Sequence, residues 1–170
     1  MMNSEQKKPI LNIADAALMD FGSPKGTFKA KLGRMGPALG LEKLGAMLTI
    51  IEPGKRAFPF HRHHAIEELF FIIEGAGEYR YGEDVHPIKP GDLLSAPVGE
   101  DAKPHQIVNT GDEPLKFLAV STMDPVDIVE YPDAQKFRAY SAGKTPALEH
   151  ARFHQLARNE NAVELFEGME

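Results

Sequence analysis

Residues 60–75 read "FHRHHAIEELFFIIEG" and place three histidines and three glutamates beside large apolar side chains. The run "LFFII" within this stretch has the composition of a buried strand. Burial of a charged group is costly unless the group is paired or coordinated. The ionisable side chains therefore either remain in water or bind something.

The composition limits the classes of protein that fit. A chain of 170 residues is long enough for one domain with a substantial core, and its 42% hydrophobic and 26% charged content is ordinary for a globular protein. The net charge of -6 argues against a nucleic-acid partner, because such binding needs Lys and Arg to meet phosphates. The absence of cysteine excludes disulfides and thiolate metal sites.

The first residues, "MMNSEQKKPILN", contain no apolar stretch of the length of a signal peptide. No run in the chain approaches the length of a membrane span. We therefore expect a cytoplasmic protein with no membrane partner.

The spacing of glycine and proline is typical of an all-β protein. Short apolar or alternating runs lie between these turn residues, namely "AMLTIIE", "ELFFIIE", "GEYRY", "DLLSA", "HQIVN" and "LKFLAVS". Short strands at this spacing predict a sandwich or a barrel. We assign a β-barrel core to residues 43–125, an N-terminal arm that packs on it to residues 1–42, and a C-terminal extension to residues 126–170.

The extension carries one helix signal. Thr145 before Pro146 fits an N-cap followed by proline at the first helical position, so a short helix could begin there. His150 and His154 lie four residues apart and would share a face of such a helix. We do not expect this pair to form a second metal site.

Four side chains of the core fit a metal site. Alternation along a strand puts His61 and His63 on one face, and Glu68 begins the next strand on the face of its inward residues. His105 opens a further apolar strand. Three imidazoles and one carboxylate suit a single divalent Zn, Mn, Fe, Co or Ni ion, and leave positions open for substrate or water.

Two neighbours of these residues have weaker claims. Glu67 competes with Glu68 for the ligand role, but its parity places it towards solvent. His64 lies on the face opposite His63, so we expect it at the rim of the site.

The first motif of the cupin superfamily resembles "GKRAFPFHRHHAIEELFFIIEG", residues 54–75. That motif has a glycine, then His-x-His, a glutamate and a second glycine, and here these are Gly54, His61, His63, Glu68 and Gly75. Six residues separate Gly54 from His61, one more than the family pattern.

The stretch "GDLLSAPVGEDAKPHQIVN", residues 91–109, is similar to the second cupin motif. Its matching positions are Gly91, Pro97, Gly99, His105 and Asn109. The segment between Gly99 and His105 is longer than the family pattern, which predicts an enlarged loop.

The resemblance implies a single-domain cupin double-stranded β-helix, a jelly-roll-like barrel. It also implies that His61, His63, Glu68 and His105 are the metal ligands. The stretch "EYPDAQKF" after the barrel resembles a segment of small cupins grouped with mannose-6-phosphate isomerase-like sugar-phosphate isomerases. An isomerase of that kind would act on a small-molecule substrate such as a sugar phosphate, with a general base that moves the proton.

Three residues are candidate substrate contacts. Tyr79 and Tyr81 share one strand face, which either lines the cavity or packs the core. Lys103 lies in the loop 100–104, and this loop would act as a lid that carries the amine onto an anionic group. A phosphate clamp needs Arg or Lys, and Arg80 is the other candidate.

Two further functions remain open. Fe(II) in a His-rich site with open positions binds O₂, so the chain fits a dioxygenase. A metal can also anchor a carbohydrate or metabolite without turnover, as in a binding module. We prefer a small polar ligand, because Phe58 and Phe60 alternate with His61 and should pack outside the barrel wall.

The run "LFFII" is apolar on both faces, which predicts a homodimer. If Phe70 and Ile72 face the cavity, then Leu69, Phe71 and Ile73 need cover on the opposite face. The arm, the extension or a second subunit could supply it, and dimers are the commonest assembly.

Overall fold

The computed structural model describes residues 9–142 and 151–169. Its strands are β1 (Met19–Gly22), β2 (Lys29–Arg34), β3 (Leu44–Ile51), β4 (Arg62–His63), β5 (Glu68–Glu74), β6 (Gly77–Tyr81), β7 (Asp84–Ile88), β8 (Leu93–Ala96), β9 (His105–Val108), β10 (Leu115–Thr122), β11 (Val126–Tyr131), β12 (Lys136–Ala142) and β13 (Ala151–Arg158). The other elements of the described residues are one short helix, α1 (Gly36–Leu39), and 3-10 turns at Ile13–Asp15, Pro132–Ala134 and Asn159–Asn161. The prediction of an all-β protein is confirmed.

The strands form three antiparallel sheets. The first has the order β1-β2-β3-β10-β5-β8, the second β7-β6-β9 and the third β13-β12-β11-β4. Buried side chains of the first two sheets form one continuous core. This arrangement is the double-stranded β-helix that the sequence predicts.

The arm and the extension both extend the sheets. The arm supplies β1 and β2, which continue the first sheet beyond β3. The extension supplies β11, β12 and β13, and β11 pairs with β4 through Val129 opposite His63. The predicted start of a helix at Thr145 lies outside the described residues. His150 also lies outside them. Residues 151–158 are a strand because they pair antiparallel with β12, so His154 lies on a strand and is exposed.

Alternation along β5 is as the sequence predicts. Phe70 and Ile72 are buried, whereas Leu69 and Phe71 are exposed by 43% and 41% of their surface. Glu68 shares the inward parity, so strand geometry turns its carboxylate towards the barrel interior.

The buried amide of Asn109 fixes the turn after β9. Its Nδ2 donates to the carbonyls of Ile51 and Glu113, both at 2.8 Å, and its Oδ1 accepts from the amide of Gly111 at 3.0 Å. The side chain therefore satisfies backbone groups at the point where β9 leaves the sheet.

In the part of the chain that the structure describes, no helix has the length and apolar character needed to cross a membrane.

Candidate metal centre and cavity

Two segments distant in sequence bring His61 beside His105. The His61 amide donates to the His105 carbonyl at 3.1 Å, and the His105 amide donates to the His61 carbonyl at 2.7 Å. This reciprocal pair is a hydrogen-bonded antiparallel bridge, so the two side chains project to the same side. Their ring centroids lie 4.6 Å apart.

Glu68 joins these imidazoles from the neighbouring sheet. Its Oε2 lies 3.1 Å from His105 Nε2 and 3.8 Å from His61 Nε2. The candidate ligand atoms of His61, Glu68 and His105 all lie within 4.8 Å of one another. The structure thus positions these three predicted ligands to bind a metal ion.

His63 stands at the edge of this cluster. Its Nε2 lies 3.6 Å from Glu68 Oε2, and its ring centroid is 5.1 Å from that of His61. It is not a member of the tightest group of ligand atoms. Its role as a fourth ligand stays a prediction.

The other ring nitrogens of two histidines already have acceptors. His61 Nδ1 lies 2.8 Å from the Pro59 carbonyl, and a carbonyl can only accept, so Nδ1 carries the proton. His63 Nδ1 donates to Asp127 Oδ2 at 2.5 Å. In both rings the lone pair is therefore on Nε2, which faces Glu68. Metal-binding histidines show this same pattern of support.

Asp127 was missed by sequence reasoning. Besides His63, its carboxylate accepts from the amides of His64 at 3.1 Å and Ala65 at 3.0 Å. Burial opposes ionisation, but these hydrogen bonds outweigh it and hold the pKa of Asp127 below its usual value. Alternation within "VDIVEY" marks Asp127 as an inward position, and only the pairing of β11 with β4 shows its partner.

Burial and mutual charge set the ionisation of the cluster. Desolvation, with repulsion from His105, lowers the pKa of His61 to about 3, so its lone pair is free at neutral pH. Burial alone would raise the pKa of Glu68. The hydrogen bond with His105 and the charges of His63 and His61 outweigh it and lower that pKa to about 2.

The residues present fit a divalent ion. Imidazole nitrogens beside an ionised carboxylate are the donors that Zn, Mn, Fe, Co and Ni share. Within the described residues, His105 Nδ1 is buried and has no hydrogen-bond partner, so this ring lacks the support that His61 and His63 have.

A cavity of about 640 Å³ opens onto the cluster. Its volume is in the range of small-molecule sites. Its wall contains the arm residues Met19, Phe21, Leu32 and Arg34, the core residues Met47, Ala57, Phe58, Pro59, His61, His63, Glu68, Phe70, His105, Gln106, Ile107, Phe117 and Ala119, and the extension residues Tyr131, Arg138 and Tyr140. All three segments of the chain therefore build the cavity.

The predicted substrate contacts lie elsewhere. Tyr79 is buried and donates its hydroxyl to the Ser95 carbonyl at 2.8 Å. Tyr81 stacks on Tyr79 at 5.7 Å between ring centroids, and Lys103 Nζ lies 5.6 Å from the Tyr81 ring centroid. None of the three is in the cavity wall, so their role in substrate binding stays a prediction.

Two other expectations change with the structure. Arg80 is engaged by Asp133, with N–O distances of 2.6 and 3.0 Å, and its guanidinium covers the Phe60 ring. Phe58 lines the cavity and packs 5.2 Å from Phe21, so its expected position outside the wall is wrong. Residues 55–61 run alongside β9 and pair with it only through isolated bridges. The alternation of a regular strand therefore does not apply to them.

Residues 47–121 match the sequence model of the cupin domain. A crystal structure of a candidate sugar phosphate isomerase from Acidithiobacillus ferrooxidans superposes with a TM-score of 0.77 at 26% identity, covering 92% of this chain and 96% of that one. A cupin-superfamily sugar phosphate isomerase from Silicibacter pomeroyi gives 0.75 at 26% identity, covering 94% and 98%.

Curated relatives match over shorter lengths. Auxin-binding protein 1 of Arabidopsis thaliana is 28% identical over 131 residues, which cover 73% of this chain and 64% of that protein. The chain spans between about half and two thirds of the length of the curated relatives it matches.

Proposed function

We propose that this protein, a cupin through its residues 47–121, is a metal-dependent enzyme that isomerises a small sugar phosphate. The observation that carries the proposal is the cluster of His61, Glu68 and His105 at the wall of a cavity large enough for such a molecule. The two sugar phosphate isomerase neighbours support it, because they align over almost the whole chain.

In this proposal the histidine–glutamate cluster binds the metal ion, and Tyr131 contacts the substrate. His61, Glu68 and His105 would hold the ion, with His63 as a fourth ligand, and when bound the ion supplies Lewis-acid polarisation of a substrate oxygen. Tyr131 stacks on His61 with ring centroids 6.3 Å apart. Burial raises the pKa of Tyr131, so its hydroxyl keeps its proton and can donate a hydrogen bond to that oxygen.

Exchange of substrate hydrogen with solvent tests the reaction. The metal-loaded protein is incubated in D₂O with a panel of aldose and ketose phosphates, and products are followed by NMR. We expect one aldose–ketose pair to interconvert with deuterium at the carbon that loses its proton. No interconversion of any member, together with no shift of melting temperature by any sugar phosphate, would remove the isomerase proposal.

A second function, an Fe(II)-dependent dioxygenase, is favoured by the apolar part of the cavity wall. Phe21, Phe58, Phe70 and Phe117 line it, and such a surface suits a substrate with an apolar body. Oxygen uptake by the Fe(II)-loaded protein in the presence of apolar organic acids would support this function over isomerisation.

A third function is ligand binding without turnover. Auxin-binding protein 1 carries a binding function in its name, and 73% of the present chain aligns with it. A ligand that raises the melting temperature of the metal-loaded protein but is recovered unchanged would favour this function.

A further inference from the structure

The cavity wall carries positive charge although the protein as a whole has a net charge of -6. Its cationic side chains are Arg34 and Arg138. Among the described residues of the wall, Glu68 is the only carboxylate, and its oxygens face the histidine cluster. A cavity of this kind attracts an anion.

Among the described residues, Arg138 has no anionic partner. Across residues 9–142 and 151–169, no carboxylate lies within 4.0 Å of its guanidinium, and its buried Nε makes no hydrogen bond. The guanidinium carbon lies 5.3 Å from the Tyr140 ring centroid. A buried guanidinium nitrogen without an acceptor is costly, and a bound anion would remove that cost.

The register of β12, β11 and β4 places Arg138 on the side of the metal cluster. On β12 it stands opposite Val129 of β11, and Val129 in turn stands opposite His63 of β4. Arg138 also lines the same cavity as Tyr131, the residue that stacks on His61 with ring centroids 6.3 Å apart. Residues outside the matched cupin domain therefore supply a cation to the same cavity.

We propose that Arg138 binds the anionic oxygens of the substrate, a phosphate or a carboxylate, while the rest of the substrate lies between it and the metal cluster. A planar guanidinium donates two parallel hydrogen bonds to either group. This inference rests on the proposed function only in taking the cavity as the substrate site. Arg138 is an alternative to Lys103 and Arg80 as the anion contact, because Arg80 is already paired with Asp133 and Lys103 lies outside the wall.

Calorimetry with defined anions tests the assignment. Glucose 6-phosphate, inorganic phosphate and benzoate are titrated into the metal-loaded protein, with glucose as the neutral probe. We expect at least one anion to bind, and Arg138→Gln to weaken it by about 10-fold to 100-fold without changing metal content. Arg138→Lys keeps the positive charge but loses the two parallel hydrogen-bond donors of the guanidinium. It should therefore bind the anion more tightly than Arg138→Gln and less tightly than the native protein.

Two matched variants separate this site from general charge effects. Lys103→Ala removes the cation of the 100–104 loop, and Arg152→Gln removes an exposed arginine of β13 that is not in the wall. Arg152→Gln should bind the anion as the native protein does, and Lys103→Ala decides between Arg138 and the rival cation of the loop. Equal affinity of Arg138→Gln and native protein, loss of affinity in Lys103→Ala alone, or no binding of any of the three anions would each overturn the assignment.

The salt dependence of anion binding tests the assignment on the native protein, without any substitution. Anion affinity should fall as sodium chloride is added, because salt screens the guanidinium. If Arg138→Gln abolishes anion binding while no sugar phosphate is isomerised, the anion site stands and the proposed function fails. If a sugar phosphate is isomerised and Arg138→Gln leaves KM unchanged, the proposed function stands and the anion site fails.

Discussion

His63 is held from both sides of its ring. Asp127 accepts the proton of Nδ1, and Nε2 faces Glu68 at 3.6 Å. His105 reaches the same point from the second motif, but without a partner on its Nδ1. Metal binding at this site therefore depends on individual histidines and, for His63, on the carboxylate of Asp127 that orients its ring.

Loss of a ligand should remove the metal and leave the barrel folded. His105→Ala and His63→Ala should each purify without bound ion, because loss of one donor costs metal affinity more than it costs fold stability. Elemental analysis and circular dichroism measure the two effects, with the exposed His86→Ala as control. Full metal occupancy in both variants would show that these histidines are not ligands.

Asp127 should act on the metal through His63. Asp127→Asn keeps the shape of the side chain but removes the charge that orients the imidazole, so metal affinity should fall by about 10-fold to 100-fold. Competition with a fluorescent chelator measures this affinity. The exposed Asp124→Asn is the matched control, and an unchanged affinity in Asp127→Asn would mean that the pair only packs.

At the scale of elements, the motif glycine Gly75 lies at a tight backbone crossing. Gly75 directly follows β5 and has φ +81°, and an added Cβ would lie 2.5 Å from the Pro114 carbonyl oxygen and 2.8 Å from Leu115 Cα. Gly54 also has a positive φ, +71°, but an added Cβ there would meet nothing within 4 Å. The two positions share a conformation and differ in crowding.

Gly75→Ala should therefore destabilise more than Gly54→Ala. Strain at a positive φ costs on the order of 1 kcal/mol for alanine, and this is the whole effect expected at Gly54. At Gly75 the backbone contact adds to it, so the free energy of unfolding should fall by about 2–4 kcal/mol. Urea denaturation measures both, and equal losses would contradict the role of the contact.

At the scale of the whole molecule, the outer face of the first sheet lacks cover in the described residues. Leu69, Phe71 and Leu93 are exposed by 43%, 41% and 65%, and Phe71 stands opposite Leu93 in the sheet. Ile73 is half-buried. A contiguous apolar face of this kind is typical of an interface.

We expect the protein to be a homodimer through this face. Light scattering at micromolar concentration should give twice the chain mass, and Leu93→Glu should shift the mass towards the monomer because it buries a charge at the interface. Val85→Glu, at a residue of β7 that is 56% exposed, is the control. A monomeric mass for the native protein would remove the prediction.

The division of the chain into arm, core and extension also belongs to this scale. The boundaries at residues 42 and 125 stay a proposal. Truncation at residue 125 should yield a barrel that lacks Asp127, Tyr131, Arg138 and Tyr140, so a folded product with full metal and anion binding would contradict the contribution of the extension to the cavity.

The sequence by itself determined the barrel and the histidine–glutamate cluster. Both depend on local patterns, because alternation fixes the face of each side chain and turn residues fix where strands end, as in β5 and β6. The motif spacing also named His61, His63, Glu68 and His105, and the structure brings His61, Glu68 and His105 together. Local patterns name the ligands, and the bridge between His61 and His105 brings two of them together.

Only the tertiary structure decided what surrounds the cluster. Asp127 meets His63, and Arg138 faces the cavity, because β11 pairs with β4 more than sixty residues away along the chain. Phe58 lines the wall because residues 55–61 run alongside β9 without the regular alternation of a strand. Long-range pairing and irregular backbone leave no periodic trace in a sequence, so these contacts could not be read from it.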